Sequence, residues 1–293
     1  MRSAILPQRR GDVPQPLVLT SEDKEGLRRA QLDLLAEFDR VCAAQGLEYF
    51  ALYGTLLGAV RHSGFIPWDD DLDVGMLRAD FNRLTDVIGD EVDGRFMFQT
   101  VRTDSHYGCM FGKLRMNGTL CVDRISYGSP QHGGIFIDVF PIDAKAARPV
   151  ARFEQRLMRY VGFRLLYLKA GYLFMGGTSV PSRVVQTVAR ALVRCIPRRL
   201  IITLTERHTR LGGVEPPAEF VSLFGAYVYD RDTIDARWIH PLTRLPFEDV
   251  TIPAFADSDA YLTQVYGNFR QPPPPDQQVG VHEIVQLDLG GMS

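Results

Sequence analysis

The chain has 293 residues, enough for one large domain or two modest ones with a substantial buried core. With 45% hydrophobic and 23% charged residues it reads as an ordinary globular protein, which excludes a fibrous or low-complexity chain. The net charge of −2 names no partner, but its distribution is uneven. Arg148 to Arg210 holds thirteen basic residues against Glu154 and Glu206, an excess of eleven that leaves the rest of the chain strongly acidic.

Residues 1–19 are Pro-rich and read as a loosely ordered arm. Thr20-Ser21-Glu22-Asp23 marks a helix start, the apolar stripe Leu27, Leu34, Leu35, Phe38 and Val41 follows, and Gly46 ends it. Tyr49 to Tyr53 reads as a buried strand stopped by Gly54-Thr55. Leu56, Leu57 and Val60 then recur at helical spacing up to His62-Ser63-Gly64. A strand feeding a Gly-Thr turn and a helix leaves free backbone N–H groups, a ready anion seat.

Next comes the acidic run Asp69-Asp70-Asp71-Leu72-Asp73-Val74. In a strand, Asp71 and Asp73 share a face about 6.6 Å apart, with Leu72 and Val74 turned to the core. Two bare carboxylates that close repel each other, and a hard divalent cation with oxygen ligands resolves the conflict. A solvated acidic loop is disfavoured by the apolar alternation. A calcium loop is rejected because Val74 and Asp80 stand where Gly and Glu are required. Asp69 and Asp70, at the strand entrance, are expected to orient the loop rather than bind metal.

Arg78 to Val92 reads as a helix. Phe96 to Val101, Met110 to Arg115 and Leu120 to Arg124 read as strands, the last two joined in a hairpin at Asn117-Gly118. In Gly133 to Asp143 a lone carboxylate, Asp138, interrupts two apolar faces, which is expensive unless it is paired or metal-bound. Asp143, after Pro141, reads as a turn residue. Residues 148–211 form a basic helical lobe with Pro181 and Pro197 near helix starts. Short strands return from Phe220, notably Phe247 to Ile252. Ser258 caps a helix to Tyr266 that Gly267 closes, and Pro272 to Pro275 stiffens the exit. Cys42, Cys109, Cys121 and Cys195 lack metal-site spacing and read as free thiols of a reducing compartment. The N-terminus lacks a signal-like apolar core. Arg159, Arg164 and Lys169 interrupt the most apolar stretch, so no spanning helix is expected. A cytoplasmic location follows, with peripheral contact to an anionic inner leaflet through Arg156, Arg159, Arg164 and Lys169 beside Tyr160, Phe163, Leu166 and Tyr167.

The string GTLLGAVRHSGFIPWDDDLDV resembles the signature of the LicD family, whose best-known members transfer phosphocholine to bacterial surface glycans, with fukutin-type ribitol-phosphate transferases as relatives. LPFEDVTIPAF and YLTQVYGNF also resemble its C-terminal pattern, so the resemblance spans about residues 25–282. It implies an α+β fold of the nucleotidyltransferase (polymerase beta) type: a mixed sheet flanked by helices over residues 20–147 and 212–293, with the additional helical lobe at 148–211. Asp71, Asp73 and Asp138 would hold Mg²⁺ or Mn²⁺, and Asp138 would take the acceptor proton. Gly54 and Thr55 would cradle the donor phosphate, with Arg61, His62 and Lys113 as further contacts. The implied reaction moves a phospho-alcohol from a CDP-activated donor such as CDP-choline to a glycan or lipid-linked oligosaccharide. Two alternatives stay open: nucleotidyl transfer onto a sugar or small molecule, and a non-catalytic binding relative. No recognition motif supports nucleic-acid binding.

Overall fold

A computed structural model describes residues 14–172, 188–212, 216–280 and 282–291. The first thirteen residues of the expected arm, Arg183 and the expected helix start at Pro181 lie outside them. Helix α1 (Ser21–Gln45) opens with a capping box, in which the Thr20 hydroxyl accepts the Asp23 N–H and the Asp23 carboxylate accepts the Thr20 N–H. Gly46 closes it in the left-handed conformation, φ 59°. Residues 14–19 are extended, and the Leu17 N–H donates to the Ile284 carbonyl at 2.7 Å, which ties that part of the arm to the C-terminal segment.

The central sheet contains β1 (Phe50–Ala51), β2 (Asp73–Leu77), β3 (Phe96–Gln99), β4 (Gly112–Met116) and β6 (Phe136–Ala144), in the order β1-β2-β6-β4-β3. β2 and β6 run parallel and the other neighbours antiparallel, so the sheet is mixed. β7 (Glu219–Val221) and β8 (Thr233–Asp235) extend it from the end of β6. Helices α1 and α3 (Arg78–Glu91) pack against β2, β4 and β6. Val74, Leu114, Ile137 and Val139, all fully buried, belong to the main core. Successive strand residues alternate sides, so Asp73, Lys113 and Asp138 share the opposite face.

Several expectations change in the fold. The strand at 49–53 shrinks to two residues because Tyr53 already starts α2 (Tyr53–His62). Asp71 precedes β2 rather than lying within it. The Asn117-Gly118 turn does not pair its flanking strands: β3 and β6 take both edges of β4, and β5 (Leu120–Asp123) pairs with β11 (Ile284–Asp288). Asp143 is a strand residue, 1% exposed, and its carboxylate accepts two hydrogen bonds from Arg78 at 2.7 and 2.8 Å. Phe247 and Val250 close a hairpin of β9 (Thr243–Phe247) and β10 (Val250–Ala254). Asp257 rather than Ser258 caps the helix Ser258–Tyr266, accepting the Ala260 N–H at 2.9 Å.

The basic segment forms α4 (Pro149–Ala170), a helical stretch at 188–194 and α5 (Arg198–Thr209). It is not a detached lobe. Leu166, Ala170, Ile201 and Ile202 share a second core with Val101, Tyr107 and Met110 after β3, and with Leu223 and Phe224 after β7. Arg198 seals this junction by donating to the carbonyls of Val101, Asp104 and Tyr107. Of the expected membrane face, Leu166 is buried and Arg159 turns inward to Asp232, because the core and the sheet claim that side of α4. No helix among the described residues is long and apolar enough to cross a membrane.

Candidate active site

Register builds the site. Asp73 lies beside Asp138 across the parallel β2–β6 pair, and Lys113 lies beside Asp138 across β6–β4. Three charged side chains therefore stand in a row on one face of adjacent strands, where direct neighbours are within contact. Lys113 Nζ donates to Asp138 Oδ1 at 2.5 Å and sits 3.3 Å from the Phe136 ring centroid. Both partners are buried, 7% and 4% exposed. The lone carboxylate in an apolar strand is thus answered by a lysine, not left bare.

The acidic run arrives beside this row. The Thr55 hydroxyl accepts the Asp73 N–H at 2.7 Å, and Leu72 C=O accepts the Asp138 N–H at 2.8 Å. Thr55 thus spends its side chain fixing the start of β2 rather than facing the clefts. Gly54 is required for a different reason: a Cβ there would collide with the Asp69 carboxylate, which is packed at the start of α2. An acid beside the positive end of a helix is the expected pairing.

Burial, then the neighbouring Asp71 and Asp70 charges, push Asp69 up to about 8. Burial first, with Asp70 and Asp138 adding to it, raises Asp71. Burial and the charges of Asp71, Asp138 and Asp69 hold Asp73 well above the usual carboxylate range. Such crowding of oxygen donors fits a divalent cation, which would remove the repulsion. Among the described residues, however, the group whose ligand atoms all lie within 4.8 Å of one another is Asp70, Asp71 and His282, not Asp71, Asp73 and Asp138.

His282 has no motif in the sequence and was missed. Its Nδ1 lies 3.1 Å from Asp70 Oδ1 and 3.5 Å from Asp71 Oδ2, and its backbone N–H donates to Asp70 Oδ2. Burial opposes its charge, but the Asp70 hydrogen bond and the Asp71 and Asp70 charges outweigh burial and raise the imidazole to about 9.

Two clefts meet at the carboxylates, and both are lined by Asp71, Asp73, Ala226 and Tyr227. The larger, about 580 Å³, adds Asp138, His282, Arg156, Arg159, Arg164, Tyr160, Phe163 and Tyr167. Arg156 is already paired with Asp230, and Arg159 with Asp232. The smaller, about 340 Å³, adds Gly54, Arg61, Asp69, Trp68, Tyr266 and Phe269. Arg61 therefore reaches the site, but one of its nitrogens is committed to the Phe269 carbonyl at 2.7 Å. His62 lines neither cleft and lies edge-on to Trp68. Tyr227 and Tyr266 were missed as well, because they come from distant segments that only the fold brings to Asp73.

Asp73 and Asp138, paired across β2–β6 beside two clefts, form the candidate site. Residues 46–155 match the family model described as LicD/FKTN/FKRP, nucleotidyltransferase domain. The lipopolysaccharide cholinephosphotransferase LicD of Haemophilus influenzae is 25% identical over 259 residues, covering 86% of this chain and 92% of that protein. Shorter matches reach uncharacterised proteins of Rickettsia prowazekii (40% over 55 residues, 19% of this chain and 21% of the other) and Rickettsia typhi (45% over 47 residues, 16% and 15%). The chain is thus similar to LicD proteins, through the domain at residues 46–155 and at low identity over most of its length.

Proposed function

We propose that this protein transfers a phosphocholine-like group from a CDP-activated donor to a hydroxyl of a cell-surface glycan, on a nucleotidyltransferase-type core that works with a divalent cation. The observation that carries the reading is the pair of clefts sharing Asp71, Asp73 and Tyr227. A CDP-activated alcohol has two ends that need separate binding spaces meeting at the diphosphate. Trp68, Tyr227, Tyr266 and Phe269 with Asp69 give the smaller cleft aromatic faces beside a carboxylate, the surroundings that favour a quaternary ammonium. Tyr160, Phe163 and Tyr167 give the larger cleft stacking surfaces for a nucleoside.

In the reaction the acceptor oxygen forms a bond to the phosphorus that carries the alcohol. The bond from that phosphorus to the bridging oxygen breaks, CMP leaves, and the hydroxyl proton passes to a carboxylate of the row or to water. A bound divalent cation would neutralise the phosphate oxygens and the leaving group. Asp71 and Asp73 would hold it. Asp138 and Lys113 fix the floor against which the phosphate is placed. The lipopolysaccharide named for the Haemophilus relative supports a glycan acceptor here.

The test is mass spectrometry of lipid-linked oligosaccharides incubated with the full chain, Mg²⁺ or Mn²⁺ and CDP-choline. Gain of the phosphocholine mass with release of CMP is expected. Gain of a CMP mass would favour nucleotidyl transfer instead, and no turnover with any CDP donor would favour a binding protein.

A further inference from the structure

We infer that His282 is a metal ligand, joining Asp70 and Asp71 in a mixed nitrogen–oxygen site that takes a first-row transition dication, Co²⁺ or Zn²⁺ and more weakly Mn²⁺, in preference to Mg²⁺. The three side chains offer one nitrogen and two carboxylates with ligand atoms mutually within 4.8 Å, the spacing of groups that can close on one ion. An imidazole nitrogen suits the later divalent metals, whereas all-oxygen sets suit Mg²⁺.

The site is built from several parts of the chain. The Gln31 amide of α1 donates to the Asp70 carbonyl at 3.0 Å and sets the acidic loop from below. The His282 backbone N–H holds the Asp70 carboxylate, and two residues later Ile284 begins β11, whose pairing with β5 anchors the segment. The Phe136 ring stands edge-on to the imidazole at 6.0 Å between centroids. His282 is thereby placed by the sheet and not by a free tail.

Charge balance separates a metal site from a plain ion pair. Asp69, Asp70, Asp71, Asp73 and Asp138 converge here, and Lys113 and His282 are the cations bonded to them. Lys113 is already used by Asp138. A divalent ion would take the place of the protons that crowding otherwise puts on these carboxyl groups, and would free the imidazole nitrogen to ligate.

The inference rests on a divalent cation serving the carboxylates, and the experiment separates the two. Pulsed EPR of the Mn²⁺-loaded full chain should show the ¹⁴N coupling of a directly bound imidazole, and His282→Gln should abolish it. By calorimetry without substrate, His282→Gln should weaken Mn²⁺ by about tenfold or more, at least the loss that even an outer partner brings, with Mg²⁺ changed much less. Mn²⁺ binding without nitrogen coupling, or an unchanged Mn²⁺-to-Mg²⁺ preference in a folded His282→Gln, would overturn the inference and leave the cation reading standing. Binding of neither ion by the wild type would overturn both. Should the variant fail to fold, the wild-type spectrum decides alone.

Discussion

Lys113 and Asp138 set how much of the carboxylate row is open to a cation. The pair is buried on both sides, so removing one partner strands a charge in the core. Lys113→Met should cost about 3–5 kcal/mol in urea unfolding, and adding Asp138→Asn should recover much of that loss. If the double variant is no more stable than the single, the pair is not what holds the site floor. Asp73 poses the opposite problem, a buried carboxylate repelled by Asp71, Asp138 and Asp69. Asp73→Asn should therefore raise the melting temperature in EDTA while lowering turnover by about 10²–10³-fold, the scale of one lost electrostatic contact at a transition state. Retention of most of the activity would remove Asp73 from the cation site.

At the scale of elements, α4 is tied to the sheet through Asp232. Arg159 donates to the Asp232 carboxylate at 2.9 Å and to the carbonyls of Gly225 and Tyr227, while the Tyr53 hydroxyl at the start of α2 donates to Asp232 at 3.0 Å. Burial raises Asp232 from 3.8 to about 6, in spite of Arg159. The folded state then binds the proton more tightly than the unfolded chain, so this group's contribution is full below about pH 4. It declines as pH rises through about 6, by about 3 kcal/mol for a shift of that size. The stability difference between wild type and Asp232→Asn, followed by urea unfolding from pH 4 to 7, should show that decline. A flat difference would mean that Arg159 fully compensates the buried charge.

For the whole molecule, the wall of the larger cleft has an outward side. Val150, Phe153 and Leu157 recur along α4 at helical spacing and are 72%, 65% and 47% exposed, with Arg148 beside them. That stripe, not the face of Arg156, Arg159, Arg164 and Lys169 expected from the sequence, is the surface to test against a bilayer carrying a lipid-linked acceptor. Vesicles with anionic lipid should co-sediment the protein, less so as salt rises. Phe153→Asp with Leu157→Asp should abolish this without lowering the melting temperature. Equal binding to neutral and anionic vesicles, or none to either, would leave the stripe without a membrane role.

The acidic run, the break at Gly54-Thr55 (which falls in the first turn of α2, not before it) and the isolated Asp138 were legible in the sequence because each is a local conflict. Like charges stand two residues apart, a helix starts without a capping side chain, and a charge interrupts an apolar strand. The limits of α1 were legible for the same reason, since Thr20, Asp23 and Gly46 act within one turn of the backbone they cap. Partners were not. That Asp138 meets Lys113, that Arg159 meets Asp232, and that β5 leaves its expected hairpin for β11 depend on which strand edges are already occupied. His282 lies 212 residues from Asp70 in the chain. No periodicity or spacing links them, and only the closing of the C-terminal strand onto β5 brings the imidazole to the carboxylates.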